Sequence, residues 1–380
     1  MKKVLIFGTF DTIHPGHLFL INEAKKHGQV HAVLALDSTI RKVKGRSPVH
    51  SIQERMRQLE AYEVKAFPGD EHDRLKVFRE LRPDIVVLGY DQKLFVDTLT
   101  SYIAEQELST KVIAVPSFHA DIFASRKIRA VAEDSDAGFL LIDKPAGEPS
   151  FHTVSQLRKI TGIKQIGFAG TLDPLASGLL ACGISKACGL LDWWHFFPKT
   201  YEATAELGAT SSTYDSEGEV TRKRHAPPTR EEVARVLRQF TGTIEQIPPM
   251  FSAKKVGGQR LYQIARRGRS VERKASSVTI HSIELLSYEQ PHLTFSLVCS
   301  TGTYVRSLVH DIGTMLKTGA VMTGLRRTEI GPYSVRDALR ASELSAASWK
   351  DHLISAQDLQ SQLIAFLYLE PDRSPRLLRG

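Results

Sequence analysis

Short apolar runs alternate with helical patterns throughout residues 1–130. The apolar runs lie at 4–7, 31–36, 85–88 and 112–115, and helical patterns separate them at 18–26, 52–59, 74–81 and 98–105. Strands that are apolar along nearly their whole length are typical of a parallel sheet that is covered on both faces. This rhythm predicts a Rossmann-like α/β domain, which we place at residues 1–132.

The end of the first predicted strand carries a glycine and two histidines. Ligands of parallel sheets bind where the strands end, and here the chain reads GTFD at 8–11 and HPGH at 14–17 before a helix. Glycine admits the backbone close to an anion, and a helix N-terminus offers free N–H groups. His14 and His17 can lie on one side of a helical turn and donate to the oxygens of a reacting phosphate. A metal site is less favoured, because no third ligand has suitable spacing.

These segments resemble the cytidylyltransferase-like group of HIGH-type nucleotidyltransferases, above all archaeal-type FAD synthases and glycerol-3-phosphate cytidylyltransferases. The likeness continues at 37–46, 54–55, 83–92 and 122–129, although Ala124 stands where the family has a hydroxyl residue. The resemblance implies transfer from CTP or ATP, carried with Mg²⁺, to a small phosphorylated acceptor such as FMN or glycerol 3-phosphate. It implies that His14 and His17 stabilise the transition state. The implied nucleotide-binding residues are Gly8, Thr9, Phe10, Lys44 (or Lys42), Gly89, Asp91 and Ser125.

A turn of small residues in the second half of the chain holds one acidic side chain. Residues 167–178 read GFAGTLDPLASG and lie between apolar runs, and Pro174 biases Asp173 away from helix. A carboxylate in such a loop can be aimed into a cavity. An ordinary Asp-Pro turn explains this segment alone about as well.

The turn resembles the catalytic motif of the TruB family of tRNA pseudouridine synthases, and further motifs keep the order of that family. They are LLIDKPAG at 140–147, KTYEA at 199–203, LGA at 207–209, DSEG at 215–218, PPMFSAKK at 248–255, CSTGTYVRSL at 299–308 and LRR at 325–327. The strand patterns at 200–207, 277–286 and 293–297 and the helical patterns at 229–239 and 304–316 fit that likeness. We expect an α+β domain with a mixed, mainly antiparallel sheet at 138–340. A short tail at 341–380 shows no PUA domain.

The TruB resemblance implies conversion of uridine in the tRNA T arm, at position 55, to pseudouridine without a cofactor or a metal. Asp173 would act as nucleophile or base, and Arg306 would keep it ionised and bind it bidentately. Tyr201 would stack on the uracil and handle a proton, and Leu325 would form an apolar wall. Structural roles remain open for Arg306, Tyr201 and Leu325, as an ion pair and as core residues. The implied RNA-binding residues are Lys144, Phe168 (where the family usually has histidine), Lys254, Lys255, Arg266 and Arg267.

The charge of the chain is consistent with an RNA partner. The formal net charge is +8, with +2 in residues 1–135 and +6 in the remainder. Residues 251–275 contain eight basic residues and one acidic residue, so RNA binding should weaken steeply with salt, although such a cluster is often only a solvated face. Three scattered cysteines fit a reducing cytoplasm, and no apolar run approaches the ~20 residues of a membrane helix.

Three interpretations follow. The first is a cytoplasmic enzyme with two activities, a nucleotidyltransferase joined to a tRNA pseudouridine synthase. In the second, only the synthase is catalytic and the first domain is an appendage that binds nucleotide or RNA. The third is a tRNA-folding chaperone that opens the T arm without chemistry.

Overall fold

The computed structural model describes residues 1–89, 93–119, 121–123, 125–223, 226–252 and 254–369, with the backbone alone at 93–95, 125, 255, 260 and 368–369. The chain divides into two compact units, Met1–Lys127 and Ile128–Gly380. None of the helices in the described ranges is long and apolar enough to cross a membrane.

The first unit is built on one parallel sheet. Its strands are β1 (Lys3–Gly8), β2 (Gln29–Leu34), β3 (Lys65–Pro68), β4 (Ile85–Leu88) and β5 (Lys111–Ala114). Its helices are α1 (Pro15–Lys25), α2 (Asp37–Lys44), α3 (Ile52–Glu60), α4 (Lys76–Leu81) and α5 (Lys93–Glu105), and α6 (Ser125–Ala132) spans the boundary between the units. All five strands pair in parallel in the order β3-β2-β1-β4-β5, which confirms the predicted α/β fold.

The central strands of this sheet are the most apolar and the most buried. Val4, Leu5 and Ile6 of β1 are fully buried, and all four residues of β4 are buried. The chain order places a topological switch between β1 and β4, because their crossovers run in opposite directions along the sheet. The two glycines that end or follow these strands, Gly8 and Gly89, therefore lie at the same edge of the sheet.

The second unit contains a nine-stranded mixed sheet and two small hairpins. Its strands are β6 (Gly138–Lys144), β7 (Ile166–Ala169), β8 (Ala176–Ile184), β9 (Lys199–Leu207), β10 (Ala209–Ser211), β11 (Val220–Arg222), β12 (Gly242–Gln246), β13 (Lys255–Val256), β14 (Gln259–Arg260), β15 (Ser276–Glu289), β16 (His292–Cys299), β17 (Ala320–Ile330) and β18 (Tyr333–Ser334). The main path is β12-β15-β16-β9-β17-β8-β6, with β7 on β8 and β18 on β17. Only the β17–β8 pair of this sheet is parallel. The predicted mixed, mainly antiparallel sheet is thus confirmed.

Besides α6, the described part of the second unit contains five α-helices and four 3-10 helices, and α8 begins at a capping box. They are α7 (Ser150–Thr161), α8 (Arg230–Gln239), α9 (Leu261–Ala265), α10 (Val305–Met315) and α11 (Ala356–Leu369), with four 3-10 helices at Ser185–Phe196, Val335–Asp337, Ala341–Glu343 and Trp349–His352. The hydroxyl of Thr229 accepts from the backbone N–H of Glu232 and the carboxylate of Glu232 accepts from that of Thr229, which confirms the predicted start of α8.

One apolar core of the second unit lies on the sheet beneath α8 and α10, and another lies between α7 and strands β6, β7 and β8. Val305, Leu308, Val309 and Ile312 form the buried stripe of α10 and join the inward residues of β9, β15, β16 and β17 in one apolar cluster. This packing fixes the start of α10 against the sheet, so that side chains at its first turn have a defined direction.

Candidate active site

The turn between β7 and β8, residues 170–175, is hereafter the Asp173 loop. Ser150, the first residue of α7, holds this loop from one side: its hydroxyl donates to the carbonyl of Leu172 at 2.8 Å and accepts from the N–H of Leu172 at 3.0 Å. The N–H of Gly147 donates to the carbonyl of Pro174 at 2.8 Å. The residues on both sides of Asp173 are therefore tied to the segment that follows β6.

Arg306 reaches the Asp173 loop from the first turn of α10. Its Nε lies 2.9 Å from Oδ2 of Asp173, and its NH1 lies 3.1 Å from Oδ2 of Asp215. NH2 donates to the carbonyl of Phe251 at 3.0 Å. The expected bidentate pairing with Asp173 is wrong, because the other nitrogens of the guanidinium are engaged elsewhere. The pairing is single, and the Arg306 side chain is only 7% exposed whereas that of Asp173 is 37% exposed.

The electrostatics of Asp173 result from opposing effects. Burial raises the pKa of its carboxyl above the ordinary value, the positive charge of Arg306 lowers it, and the negative charge of Asp215 raises it again. Arg306 thus favours the ionised form of Asp173, as expected, but burial outweighs its effect and the net shift of the pKa is upward. Such a carboxylate is a stronger base than a solvated one.

Tyr201 and Leu325 lie on neighbouring strands beside this loop. Both pack, partly buried, against the apolar cluster beneath α10, as does Leu175 of the Asp173 loop. Burial raises the pKa of the Tyr201 phenol, the charge of Arg327 lowers it, and the charge of Asp173 raises it. The structure therefore brings together Asp173, Arg306, Tyr201 and Leu325, the four residues that the resemblance assigned to the synthase reaction.

Lys144 does not fit the predicted contact with RNA phosphate. Its side chain has no exposed surface, and its Nζ donates to the carbonyls of Pro145 at 2.7 Å and Glu148 at 2.5 Å. Burial lowers the pKa of its ammonium group. We infer instead that Lys144 stabilises the turn after β6. Gly147 of that turn donates to the Asp173 loop.

The other predicted RNA-binding residues occupy varied environments. Phe168 lies in β7 and packs, half-buried, against an apolar cluster that includes Leu140 and Leu180. Lys254 is half-buried and its Nζ donates to the hydroxyl of Ser276. Arg266 and Arg267 are exposed at the end of α9, as a phosphate contact requires.

A second group of polar residues gathers at the end of β1 in the first unit. The rings of His14 and His17 are stacked with their centroids 3.8 Å apart, and the Nζ of Lys44 donates to the hydroxyl of Thr9 at 3.0 Å. Phe10 is fully buried at a positive φ of 48°. A side chain at Gly8 would meet the Phe10 ring at 2.6 Å, so this position has room for glycine only.

This group includes polar atoms that are buried without a hydrogen-bond partner among the described residues. They are Oδ2 of Asp11, Oγ1 of Thr12, Nδ1 of His14 and NH1 of Arg46. Burial lowers the pKa of His14 to about 4 and that of His17 well below its ordinary value. Both rings are therefore neutral at neutral pH. NH1 of Arg46 lies 3.9 Å from Oδ2 of Asp11, which is an ion pair too long for a hydrogen bond. Buried polar atoms without hydrogen bonds beside neutral imidazoles fit a site that a polar ligand completes.

Three predicted nucleotide- or RNA-binding positions are not fully described. Asp91 lies outside the described residues, and so do the side chains of Ser125 and Lys255.

Two buried charged residues have site roles that sequence reasoning missed. Asp215 is 1% exposed and orients Arg306, and it also accepts from the hydroxyl of Thr213 at 2.6 Å. Arg55 is fully buried and donates to the carbonyls of Thr9 at 2.6 Å and Ala35 at 2.9 Å, so it joins the ends of β1 and β2. Both lie in segments that resemble the family motifs. The local sequence, however, does not show which residue either of them contacts.

Comparisons with known families define the class of each part of the chain. Residues 5–143 match the cytidylyltransferase-like family. Residues 158–305 match the N-terminal domain of the TruB family of pseudouridylate synthases, and residues 306–367 match the C-terminal domain of tRNA pseudouridylate synthase B. The chain thus joins a cytidylyltransferase-like domain to a pseudouridylate synthase.

Curated relatives identify the family. A tRNA pseudouridine synthase B of Chlamydia abortus is 45% identical over 206 residues, which are 54% of this chain and 87% of that protein. One of Clostridium novyi is 41% identical over 225 residues, 59% of this chain and 78% of that protein. The chain belongs to the TruB family of tRNA pseudouridine synthases.

Solved structures show weaker similarity. A chain of a Cbf5-Nop10-Gar1 complex is 26% identical with a TM-score of 0.44, covering 66% of this chain and 60% of that one. A lipopolysaccharide core biosynthesis protein of Thermoplasma volcanium is 34% identical with a TM-score of 0.29, covering 31% of this chain and 98% of that one.

Proposed function

We propose that this chain isomerises a uridine of the tRNA T arm, at position 55, to pseudouridine, and that Asp173 is its catalytic carboxylate. The observation that carries the proposal is the ion pair of Asp173 with the buried Arg306 at 2.9 Å. The carboxylate is fixed by its loop and by this cation, yet more than a third of its side chain is open to a substrate. Such fixed placement of a reactive group supplies a large part of catalytic rate.

The reaction breaks the bond between N1 and C1′ and joins C1′ to C5 of the same uracil; C5 loses its proton and N1 gains one, without oxidation or reduction. Asp173 acts as nucleophile or base in this sequence. Tyr201 stacks on the uracil, and its phenol takes part in proton transfer. Leu325 forms an apolar wall of the pocket. The raised pKa of Asp173 supports a role in proton transfer, because a stronger base accepts a proton more readily near neutral pH.

The tRNA must be held and the target base extruded from its stack, which costs a few kcal/mol. Arg266 and Arg267 are exposed and suited to phosphate. For Phe168, which is half-buried in β7 and packs against an apolar cluster, an RNA contact is proposed from the family motif alone. Binding that depends on such cations falls with increasing salt.

An Asp173→Asn variant tests the synthase proposal. Pseudouridine formation in unmodified tRNA, measured by tritium release from position 5 of uridine, should vanish while tRNA binding persists, and sequencing of the wild-type product should place the modification at position 55. Asp143→Asn, on β6, is the matched control, because Asp143 pairs with Arg326 at 2.9 Å and not with Arg306. An active Asp173→Asn enzyme would remove Asp173 from the chemistry.

For the first unit we propose nucleotidyl transfer from CTP or ATP to a phosphorylated acceptor. The buried atoms Oγ1 of Thr12 and Nδ1 of His14, which have no hydrogen-bond partner among the described residues, support a polar ligand at the end of β1, beside the long ion pair of Asp11 and Arg46. Neutral His14 and His17 would donate to the α-phosphate, and Lys44 would neutralise charge on the phosphates. Mg²⁺ arrives with the triphosphate as part of the substrate.

Incubation with ATP and FMN, and separately with CTP and glycerol 3-phosphate, tests this second activity. Pyrophosphate and a nucleotidyl product, detected by mass, are expected from one of the two mixtures. A His14→Asn, His17→Asn variant should release no pyrophosphate. If no product forms in a preparation that converts tRNA, the alternative of an appendage without catalysis is favoured.

A further inference from the structure

Arg327 is a buried cation that the proposed reaction has not used. Its side chain is 1% exposed, and no acidic side chain in the described part of the chain forms an ion pair with it. A buried charge without a counter-charge is costly, and its retention is poor evidence of a purely stabilising role.

The acceptors of Arg327 are backbone carbonyls on both sides of the Asp173 loop. Its Nε donates to the carbonyl of Leu179 in β8 at 2.7 Å, and its NH2 donates to the carbonyl of Gly170 at 2.9 Å. Gly170 is the first residue of the loop, and Leu179 is the fourth residue of β8, the strand that follows the loop. One planar guanidinium therefore spans the base of the loop, which a single ammonium group cannot do.

Two glycines of the same motif make room for Arg327. A Cβ on Gly170 would lie 3.2 Å from NH1 of Arg327. A Cβ on Gly178 would lie 2.2 Å from the carbonyl oxygen of Arg327, since the two residues are paired between β8 and β17. The spacing of these glycines around Asp173 is thus matched to the strand that carries Arg327.

Arg327 is also the cross-strand partner of Tyr201. The two residues are directly opposite in the antiparallel pair of β17 and β9, so their side chains lie on the same face of the sheet. The positive charge of Arg327 lowers the pKa of the Tyr201 phenol against the effect of burial. The same guanidinium therefore contacts the loop of Asp173 and influences Tyr201.

We propose that Arg327 is a positioning residue for uridine isomerisation, which holds the base of the Asp173 loop and orients Tyr201 beside it. This inference rests on the proposed roles of Asp173 and Tyr201. It concerns a residue that need not touch the substrate, and it predicts a loss in the chemical step with little loss in tRNA affinity.

The test uses Arg327→Lys, because lysine keeps the positive charge but cannot donate to the carbonyls of Gly170 and Leu179 at once. Arg327→Met is not used, because it would leave both carbonyls without a donor and could prevent folding. We expect kcat to fall about 10- to 100-fold, with the Kd for unmodified tRNA changed by less than about twofold. Tryptophan fluorescence during heating verifies that the variant is folded. Arg326→Lys is the matched control, since it makes the same change one residue away, on a side chain that pairs with Asp143 and is 40% exposed.

A double-mutant cycle with Tyr201→Phe separates positioning from general stabilisation. If Arg327 acts through Tyr201, the Tyr201→Phe, Arg327→Lys enzyme should be little slower than the slower single variant. Additive losses, a kcat within about threefold of wild type, or a loss confined to tRNA affinity would each overturn the inference. Asp173→Asn is assayed alongside. Activity in that variant refutes the proposed catalytic role of Asp173, whereas an inactive Asp173→Asn with a normal Arg327→Lys refutes only the role of Arg327.

Discussion

Arg306 is held by Asp215 and in turn holds Asp173. The buried Asp215 accepts from NH1 of Arg306 at 3.1 Å, and this fixes the plane of the guanidinium so that its Nε points to Asp173. A single cation thus stands between two carboxylates of different exposure. The more exposed carboxylate is the one that can meet a substrate.

Replacing Arg306 by glutamine should move the acid limb of the kcat–pH profile to higher pH. Arg306 lowers the pKa of Asp173, so its loss leaves burial and the charge of Asp215 to raise that pKa further. The profile of residual activity is measured between pH 5 and 9, and Arg326→Gln provides a profile in which the limb should not move. A shift to lower pH would mean that another group sets the limb.

Removing the hydroxyl of Ser150 should loosen the Asp173 loop. Ser150→Ala leaves the buried N–H and C=O of Leu172 without their partner, which costs about 1–3 kcal/mol of unfolding free energy. We also expect kcat to fall. Ser155→Ala is the control on the same helix, because that hydroxyl bonds only the helical carbonyl of Phe151, and its cost should stay within about 0.5 kcal/mol. Urea denaturation measures both, and equal costs would contradict the prediction.

Alanine at Gly178 should prevent the close approach of β8 and β17. Gly178 has a φ of 101°, and a Cβ there would lie 2.2 Å from the backbone oxygen of Arg327. We expect a loss above about 4 kcal/mol or failure to fold. Gly162→Ala, at a φ of 73° with open space around it, should cost only about 1–2 kcal/mol of backbone strain. Fluorescence reports this unit directly, since Trp193, Trp194 and Trp349 all lie in it, and similar midpoints for the two variants would disprove the steric argument.

Acid should destabilise the first unit through its two histidines. The pKa of His14 is lowered to about 4 in the folded chain against 6.5 when unfolded, so the unfolded chain binds more protons between these values. The stability from this group is complete above pH 6.5 and is lost as pH falls toward 4, and His17 acts in the same direction. Hydrogen exchange of a peptide from β1, corrected for intrinsic rates, should show this loss in wild type and a smaller loss in His14→Asn, His17→Asn. Equal losses would exclude the histidines as its source.

The fold was largely predictable because its signals are local. The apolar runs at 4–7 and 85–88 became β1 and β4, and the helix starting after Thr229 follows from its cap. Strand β3 was not predicted, because it ends in Pro68 and is only half-buried. Helix α2 was not predicted either, because its segment has a single buried apolar residue, Ile40.

The site was predictable only in part. The motifs identified Asp173, Arg306 and Tyr201, but a motif does not state which oxygen a guanidinium contacts. The single pairing of Arg306 and the role of Asp215 depend on the distance between segments that are remote in sequence. The resemblance assigned Lys144 to RNA binding, but its side chain is buried here and its ammonium group donates to two nearby carbonyls, which the motif does not reveal.

The fastening of the Asp173 loop has a consequence for biosynthesis. The loop is secured by Ser150, which precedes it, and by Arg306 and Arg327, which leave the ribosome long after it. Folding during translation proceeds from the N-terminus, so a nascent chain that ends before α10 contains Asp173 and Ser150 but neither of the two arginines. The candidate active site is therefore completed only after α10 and β17 have been synthesised, and a chain that stops before α10 lacks the cation that pairs with Asp173.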